Sequence, residues 1–152
     1  MKQFLYLILI LMIVSACKEV FVEPPQALLQ VKFLNSSTKL AITSKVTVLG
    51  IGRDSLWVDN TSIDEIMLPL SANDTTSFRI SFDSQIDTIS FIHETTQKYA
   101  AKESGFYYEF KLHAIDYTHN RIDSIQIIDS LVIQKWHENI KLYIRPLPVV
   151  SN

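Results

Sequence analysis

The pattern that most constrains this chain is a two-residue alternation, clearest in FYYEFKLHA. There Phe106, Tyr108, Phe110, Leu112 and Ala114 share one parity, and Tyr107, Glu109, Lys111 and His113 the other. Only an extended strand, whose side chains leave on opposite faces in turn, gathers such a set on one side. The first set is therefore expected to face a core and the second to face solvent. The same period returns in LQVKFL (Leu29, Val31, Phe33), SFRISFD (Phe78, Ile80, Phe82), DTISFI (Ile89, Phe91) and NIKLYI (Ile140, Leu142, Ile144). SFRISFD and DTISFI follow each other closely enough to predict a hairpin. In SKVTVLGIG, Val46 and Val48 alternate before Gly50 and Gly52 mark a bend or bulge. EIMLPL ends in Pro69, which lacks a ladder donor and places that run at an edge or strand end. IDSIQIID and LVI add two further runs, and Pro146 and Pro148 stop pairing after NIKLYI. No dozen residues hold a 3.6 period; TTQKYAAKES is the best helical candidate.

Three glycines is few for such a chain. Turns must then rest on Asn, Asp and Ser, which bond their own backbone. Candidates are NSST at Asn35, DNTS at Asp59, SANDTT at Ser71, DSQ at Asp83 and THN at Thr118. Their spacing is that of a sandwich or barrel. The expectation is an all-β domain over residues 27–152, an antiparallel two-sheet β-sandwich of about seven to nine strands.

The N-terminus reads differently. Lys2 is followed by the unbroken apolar run Phe4 to Val14, then Ser15, Ala16 and Cys17. A cation, a short apolar stretch and small residues form a secretory leader, too short for the ~20 residues a membrane-crossing helix needs. Val14-Ser15-Ala16-Cys17 resembles the lipobox of bacterial lipoproteins. The resemblance implies cleavage between Ala16 and Cys17, a diacylglycerol on the Cys17 sulfur and an acylated amine. Three acyl chains at ~0.8 kcal/mol per buried CH₂ would hold the protein permanently. The plainer readings are an uncleaved membrane helix or a secreted protein with a stray thiol. Residues 1–16 are thus read as a lipoprotein signal peptide. Residues 17–26, with Pro24-Pro25, are read as a lipidated tether.

Cys17 is the sole cysteine. With its sulfur alkylated, the mature chain has no thiol nucleophile, thiolate metal site or disulfide. Cleavage removes one cation, Lys2, and no anion, so the formal charge of −2 becomes −3. Such a surface offers no electrostatic attraction to nucleic acid.

Two further resemblances follow from the strands. YYEFKLHAIDYTHN is similar to the penultimate strand and loop of fibronectin type III and immunoglobulin-like sandwiches, which implies a tyrosine corner at Tyr107 or Tyr108. The wider order is VTVLGIGRDSLW, IMLPLSANDTTSFRISF, KESGFYYEFKL, RIDSIQIID and ENIKLYI. It resembles a family of small uncharacterised lipoproteins from Bacteroidota, a domain of unknown function. In that pattern a cysteine often precedes the Gly-aromatic pair. Ser104 stands there here, so a family disulfide would be absent. The family brings no catalytic residue or ligand. Such lipoproteins can carry a surface-export signal after the cysteine, which Lys18-Glu19 matches in part before Val20 interrupts it.

Candidate chemistry is sparse. His113, Asp116 and His119 in HAIDYTH would group on a helix, but on a strand running into a turn they fall on opposite faces. His93 continues the inward parity of Ile89 and Phe91 and is expected to be a hydrogen-bonded rim residue. No serine elbow accompanies it. Asp54, Asp59, Asp64, Glu65, Asp74, Asp83 and Asp87 are scattered and form no calcium loop, though a glycosidase pair remains open. GIG at Gly50 lacks the rest of a nucleotide fingerprint. Trp57, Tyr107, Trp136 and Tyr143 could make an aromatic platform for sugars or a partner.

The expectation is a non-enzymatic outer-membrane lipoprotein that needs no cofactor and no metal, and that binds a protein partner of the envelope. The alternative is a glycan or small-ligand module. Both the periplasmic face and the cell surface stay open as its location.

Overall fold

The computed structural model describes residue 23 and residues 25–147, and the described chain contains strands and no helix. The expected signal peptide 1–16, Cys17, most of the expected tether 17–26 and Pro148 lie outside the described residues. Ten strands run in chain order: β1 (Leu28–Asn35), β2 (Ser44–Gly50), β3 (Leu56–Ile63), β4 (Glu65–Pro69), β5 (Thr75–Phe82), β6 (Gln85–Ala101), β7 (Gly105–Tyr117), β8 (Ile122–Ile127), β9 (Leu131–Val132) and β10 (Glu138–Ile144). They form a four-stranded sheet, β4-β1-β10-β8, and a six-stranded sheet, β3-β2-β5-β6-β7-β9. All pairings are antiparallel except β1 with β10, which is parallel, so the first and last strands lie side by side at the centre of the smaller sheet.

The alternation explains this arrangement. Leu29, Val31 and Phe33 of β1 and Ile140, Leu142 and Ile144 of β10 are buried on one side. They meet Val46, Val48, Phe78, Ile80, Phe82, Ile89 and Phe91 of the larger sheet in one cluster. Phe33 and Phe82 meet edge to face at 5.4 Å and 89°, and Phe78 and Phe91 at 6.1 Å. Each such side chain contributes about 1.5–3 kcal/mol on leaving water, and the edge-to-face geometry about 0.5–1.5 kcal/mol more.

The expected runs fall on β1, β2 and β4 to β10, with Pro69 closing the edge strand β4. Three expectations are corrected. TTQKYAAKES is no helix: Thr95 to Ala101 continue β6, and Lys102 to Ser104 turn into β7. DNTS is no turn: it lies inside β3, where Asn60 takes φ 46° at a slip in the β2–β3 register. On β7, Phe110 and Leu112 are buried, but Phe106, Tyr108 and Ala114 are exposed. The sandwich ends before Phe106 and Tyr108, and a register shift opposite Ile92 and His93 disturbs the parity near Ala114.

The β5–β6 turn shows how the chain manages without glycine. Asp83 (φ 48°) and Ser84 (φ 77°) occupy the two centre positions of a two-residue hairpin closed by Phe82 and Gln85. The right-handed twist of the strands demands this left-handed turn, which favours Asn, Asp and Gly. Asp83 is held there by the Lys45 N–H (3.0 Å) and the Ser44 hydroxyl (2.8 Å). Ser84 is exposed and carries the strain alone. Replacing Ser84 by Gly should raise stability by about 1 kcal/mol in urea denaturation; an unchanged or lowered midpoint would count against this account of the turn.

Candidate functional site

Register defines two poles. β1 begins beside Pro69 of β4 and near Glu138 of β10, and the His93 N–H donates to Asp74 O where β5 starts. The chain enters the sandwich at this pole, called here the tether pole. The Trp136 indole donates to Gln26 O (2.9 Å) and fastens the incoming chain to the β9–β10 loop. The opposite pole holds the Asp83–Ser84 turn and the β7–β8 turn.

At the tether pole, the turn after β2 and the loop between β4 and β5 border a groove of about 550 Å³. Gly52 (φ 83°) makes the first of these turns possible. The walls are Ile51, Leu56, Trp57, Pro69, Leu70 and Phe78, and the rim carries Arg53, Ser55, Ser71, Asn73, Thr75 and Thr76. Thr76 links the rim to the interior. Its hydroxyl receives the Ser71 N–H (2.9 Å), lies 3.1 Å from the Ser71 hydroxyl and 2.9 Å from His93 Nε2. His93 is buried, flanked on Nδ1 by Thr95 (3.3 Å) and packed edge to face with the Phe110 ring at 5.2 Å. Burial lowers its pKa below the usual histidine value; the charge of Asp74 opposes this and that of His113 adds to it. A neutral imidazole bounded by hydroxyls tightens the inter-strand packing. Both its nitrogens are engaged, so the rim position expected from parity is a buried one.

The opposite pole is pinned by Asp87, which shares the inward parity of Ile89. Its carboxylate accepts the Thr118 hydroxyl (2.6 Å) and the N–H groups of Asn120 (2.8 Å), Arg121 (2.7 Å) and Ile122 (3.0 Å). Arg121 is buried beside it and donates to Asp83 at 2.9 Å. Burial acts to raise the Asp83 carboxyl, but the Lys45 N–H, the Ser44 hydroxyl and Arg121 together outweigh it and leave the pKa lowered. The structure thus gathers Asp83, Asp87 and Arg121. Both Asp87 oxygens are filled by donors, so it is placed to hold a turn rather than to move a proton. Arg121 Nε is buried without a partner among the described residues, and the carboxylates beside it disfavour an anion there.

The remaining candidates do not converge. His113 lies 3.7 Å from Glu94, His119 packs on Tyr117 at 4.7 Å, and His137 meets Asp129 at 3.0 Å. No group of three or more metal-ligating side chains occurs among the described residues. The four aromatics of the expected platform are dispersed. Trp57 donates to Met67 O and Trp136 to Gln26 O, Tyr143 bonds Gln126 beneath Lys39, and Tyr107 bonds Glu109. The Tyr107 contact, 3.2 Å to a side chain two residues onward, is not a tyrosine corner; Tyr108 is exposed and has no such bond.

Sequence reasoning missed Arg121 and Asn139. Asn139 is buried at the register shift between β1 and β10, accepts the Gln30 N–H (3.1 Å) and donates to Leu131 O (2.8 Å). Neither breaks an alternating pattern, so neither leaves a signal. Asp87 does, as an acid at a core parity.

Asp87→Asn should destabilise the fold by about 3 kcal/mol or more, because a buried charge-assisted network loses its acceptor. The exposed change Asp116→Asn should stay within about 0.5 kcal/mol, both read by urea denaturation. The two depressed pKa values act in one direction with pH. His93 adds stability that is full above its unfolded value of ~6.5 and falls as pH drops toward its folded value. Asp83 adds stability present above its unfolded value of ~3.9 and lost as pH falls through its folded value. His93→Gln should therefore flatten the loss of stability below about pH 6.5; parallel pH profiles for the two proteins would refute this.

No curated protein and no solved structure matches the chain. Residues 45–144, from β2 to the end of β10, match a family described as "Family of unknown function (DUF6452)". The match takes in well over half of the chain, both poles and the β6–β7 hairpin, and on it the protein belongs to the DUF6452 family.

Proposed function

We propose that this DUF6452 member is a lipoprotein of the Bacteroidota type, held at the outer membrane through Cys17, which binds an envelope protein and performs no catalysis. The leader with Val14-Ser15-Ala16-Cys17 supports the anchor. The filled hydrogen-bonding groups of His93 and Asp87 support the non-enzymatic part.

The observation that carries the partner reading is the outer edge of β7. Its neighbour β9 pairs only with Phe110 and Lys111, and Leu112 adds one bond to Ser130 O. From Ala114 to Tyr117 no further strand covers it among the described residues. The Thr118 N–H points inward, to Thr88 O. By alternation, those of Tyr117 and Ile115 point outward. Folded proteins usually blunt such an edge with proline, lysine or a covering loop. An extended segment of a partner can add itself there as a strand.

The tether-pole groove favours a second reading, a glycan module, because Trp57 walls a pocket rimmed by hydroxyls and Arg53.

Purification of the lipidated protein from native membranes should recover one envelope protein above background. Ile115→Pro should lose it while keeping the β spectrum. Mass spectrometry should find the acyl chains on residue 17, and Cys17→Ser should release the protein to the soluble fraction. Recovery of nothing sinks the partner, recovery of glycan instead supports the second reading, and a bare Cys17 thiol sinks the anchor.

A further inference from the structure

The surface of the domain is unevenly apolar. Trp57, Tyr99, Phe106, Tyr108 and Trp136 are the strongly exposed aromatics among the described residues, and all five lie at the tether pole or on the hairpin that leaves it. The opposite pole exposes Leu40, Ile86 and Leu147, none of them aromatic.

The hairpin itself is unusual. β6 pairs with β5 as far as Ile92, opposite Thr75, and then runs on to Ala101 before β7 returns from Gly105. Eight residue steps from His93 to Ala101, at ~3.3 Å each, make a ribbon of roughly 26 Å. Its register pairs Gln97 with Tyr108 and Tyr99 with Phe106. This face continues the one that buries Phe110 and Leu112, but Tyr99, Phe106 and Tyr108 are exposed, with Tyr99 and Phe106 edge to face at 5.3 Å. An uncovered aromatic face of this kind marks a contact surface.

The tether says what it contacts. Gln26 is fastened to Trp136, so nine residue steps separate the body from Cys17, at most ~30 Å of chain. If Cys17 sits in a bilayer, the hairpin tip comes within reach of that bilayer at the same pole. Tyrosine and phenylalanine, with Lys98 and Lys102 beside them, suit the headgroup boundary, where an aromatic ring is part buried and a lysine stem reaches water.

We propose that the β6–β7 hairpin is a second membrane contact, with Tyr99, Phe106 and Tyr108 inserted into the interfacial layer of the bilayer that holds the acyl chains. The contact rests on the anchored reading above. It fixes the orientation of the sandwich, with the tether pole toward lipid and the Asp83–Ser84 turn away from it.

The test uses the full chain after cellular processing, in which an introduced cysteine is the only free thiol once Cys17 is lipidated. Phe106→Cys, Tyr99→Cys and the far-pole control Ile86→Cys each carry an environment-sensitive fluorophore. They are reconstituted in phosphatidylethanolamine–phosphatidylglycerol vesicles, with doxyl lipid or aqueous iodide as quencher. The lipid quencher should act several-fold more strongly at positions 99 and 106 than at 86, and iodide the reverse. If the protein stays on the vesicles while 99 and 106 quench like 86, the hairpin contact is wrong and the anchor stands. Shielding of 99 and 106 from both quenchers overturns the lipid contact in favour of a protein cover. Release of the protein from the vesicles overturns the anchor and this inference with it.

Discussion

The structure depends on the apolar faces of two sheets shutting against each other. Phe33 from the smaller sheet and Phe82 from the larger meet edge to face at the seam, both fully buried. Because side-chain parity on a strand is strict, that seam fixes the register of every strand contributing to it; a slip of one residue would turn Phe, Ile and Val outward together. The parallel pairing of β1 with β10 follows from the same need. The first and last strands carry the longest uninterrupted core faces of the smaller sheet, and they take its two central places.

Closing the seam leaves polar groups inside, and each is given a turn or crossing to hold. Asp87 collects the N–H groups of the β7–β8 turn at one pole. Asn139 bridges β1 to the β8–β9 segment near the other. His93 sits where β5 ends its cover of β6, and two threonines fill its ring nitrogens. Asp87 and His93 stand on the same inward parity as Ile89 and Phe91, polar residues at core positions. A chain with few glycines needs such side-chain bonds to make turns that glycine would otherwise make alone.

The two poles differ in character, and this shapes the functional reading. One is closed by carboxylates and main-chain donors. The other carries the groove, the incoming chain fastened at Gln26 and a hairpin whose aromatic face has no cover within the described domain. That asymmetry makes the tether pole and the open edge of β7 separate surfaces, so the proposed lipid contact and the proposed protein partner need not compete for one site.

Local chemistry in the sequence determined the strands, because a period of two has one structural meaning and the buried sets of β1, β5, β10 and the first half of β6 are the ones it names. It also determined Pro69 at an edge and turns at Asn35, Ser71, Asp83 and Thr118. The exposed edge strand β3 was not legible, since a strand with both faces wet has no alternation to read. Nor was the outward half of β7: Phe106 and Tyr108 continue the core parity, but parity says which face a residue takes and not whether another layer lies over that face. Tertiary structure alone decided that the second sheet stops short of them, that Arg121 and Asn139 lie inside, and that the four expected platform aromatics are dispersed. The physical reason is common to all of these. Periodicity is a property of one strand, whereas cover, convergence and edges arise between strands far apart in the chain.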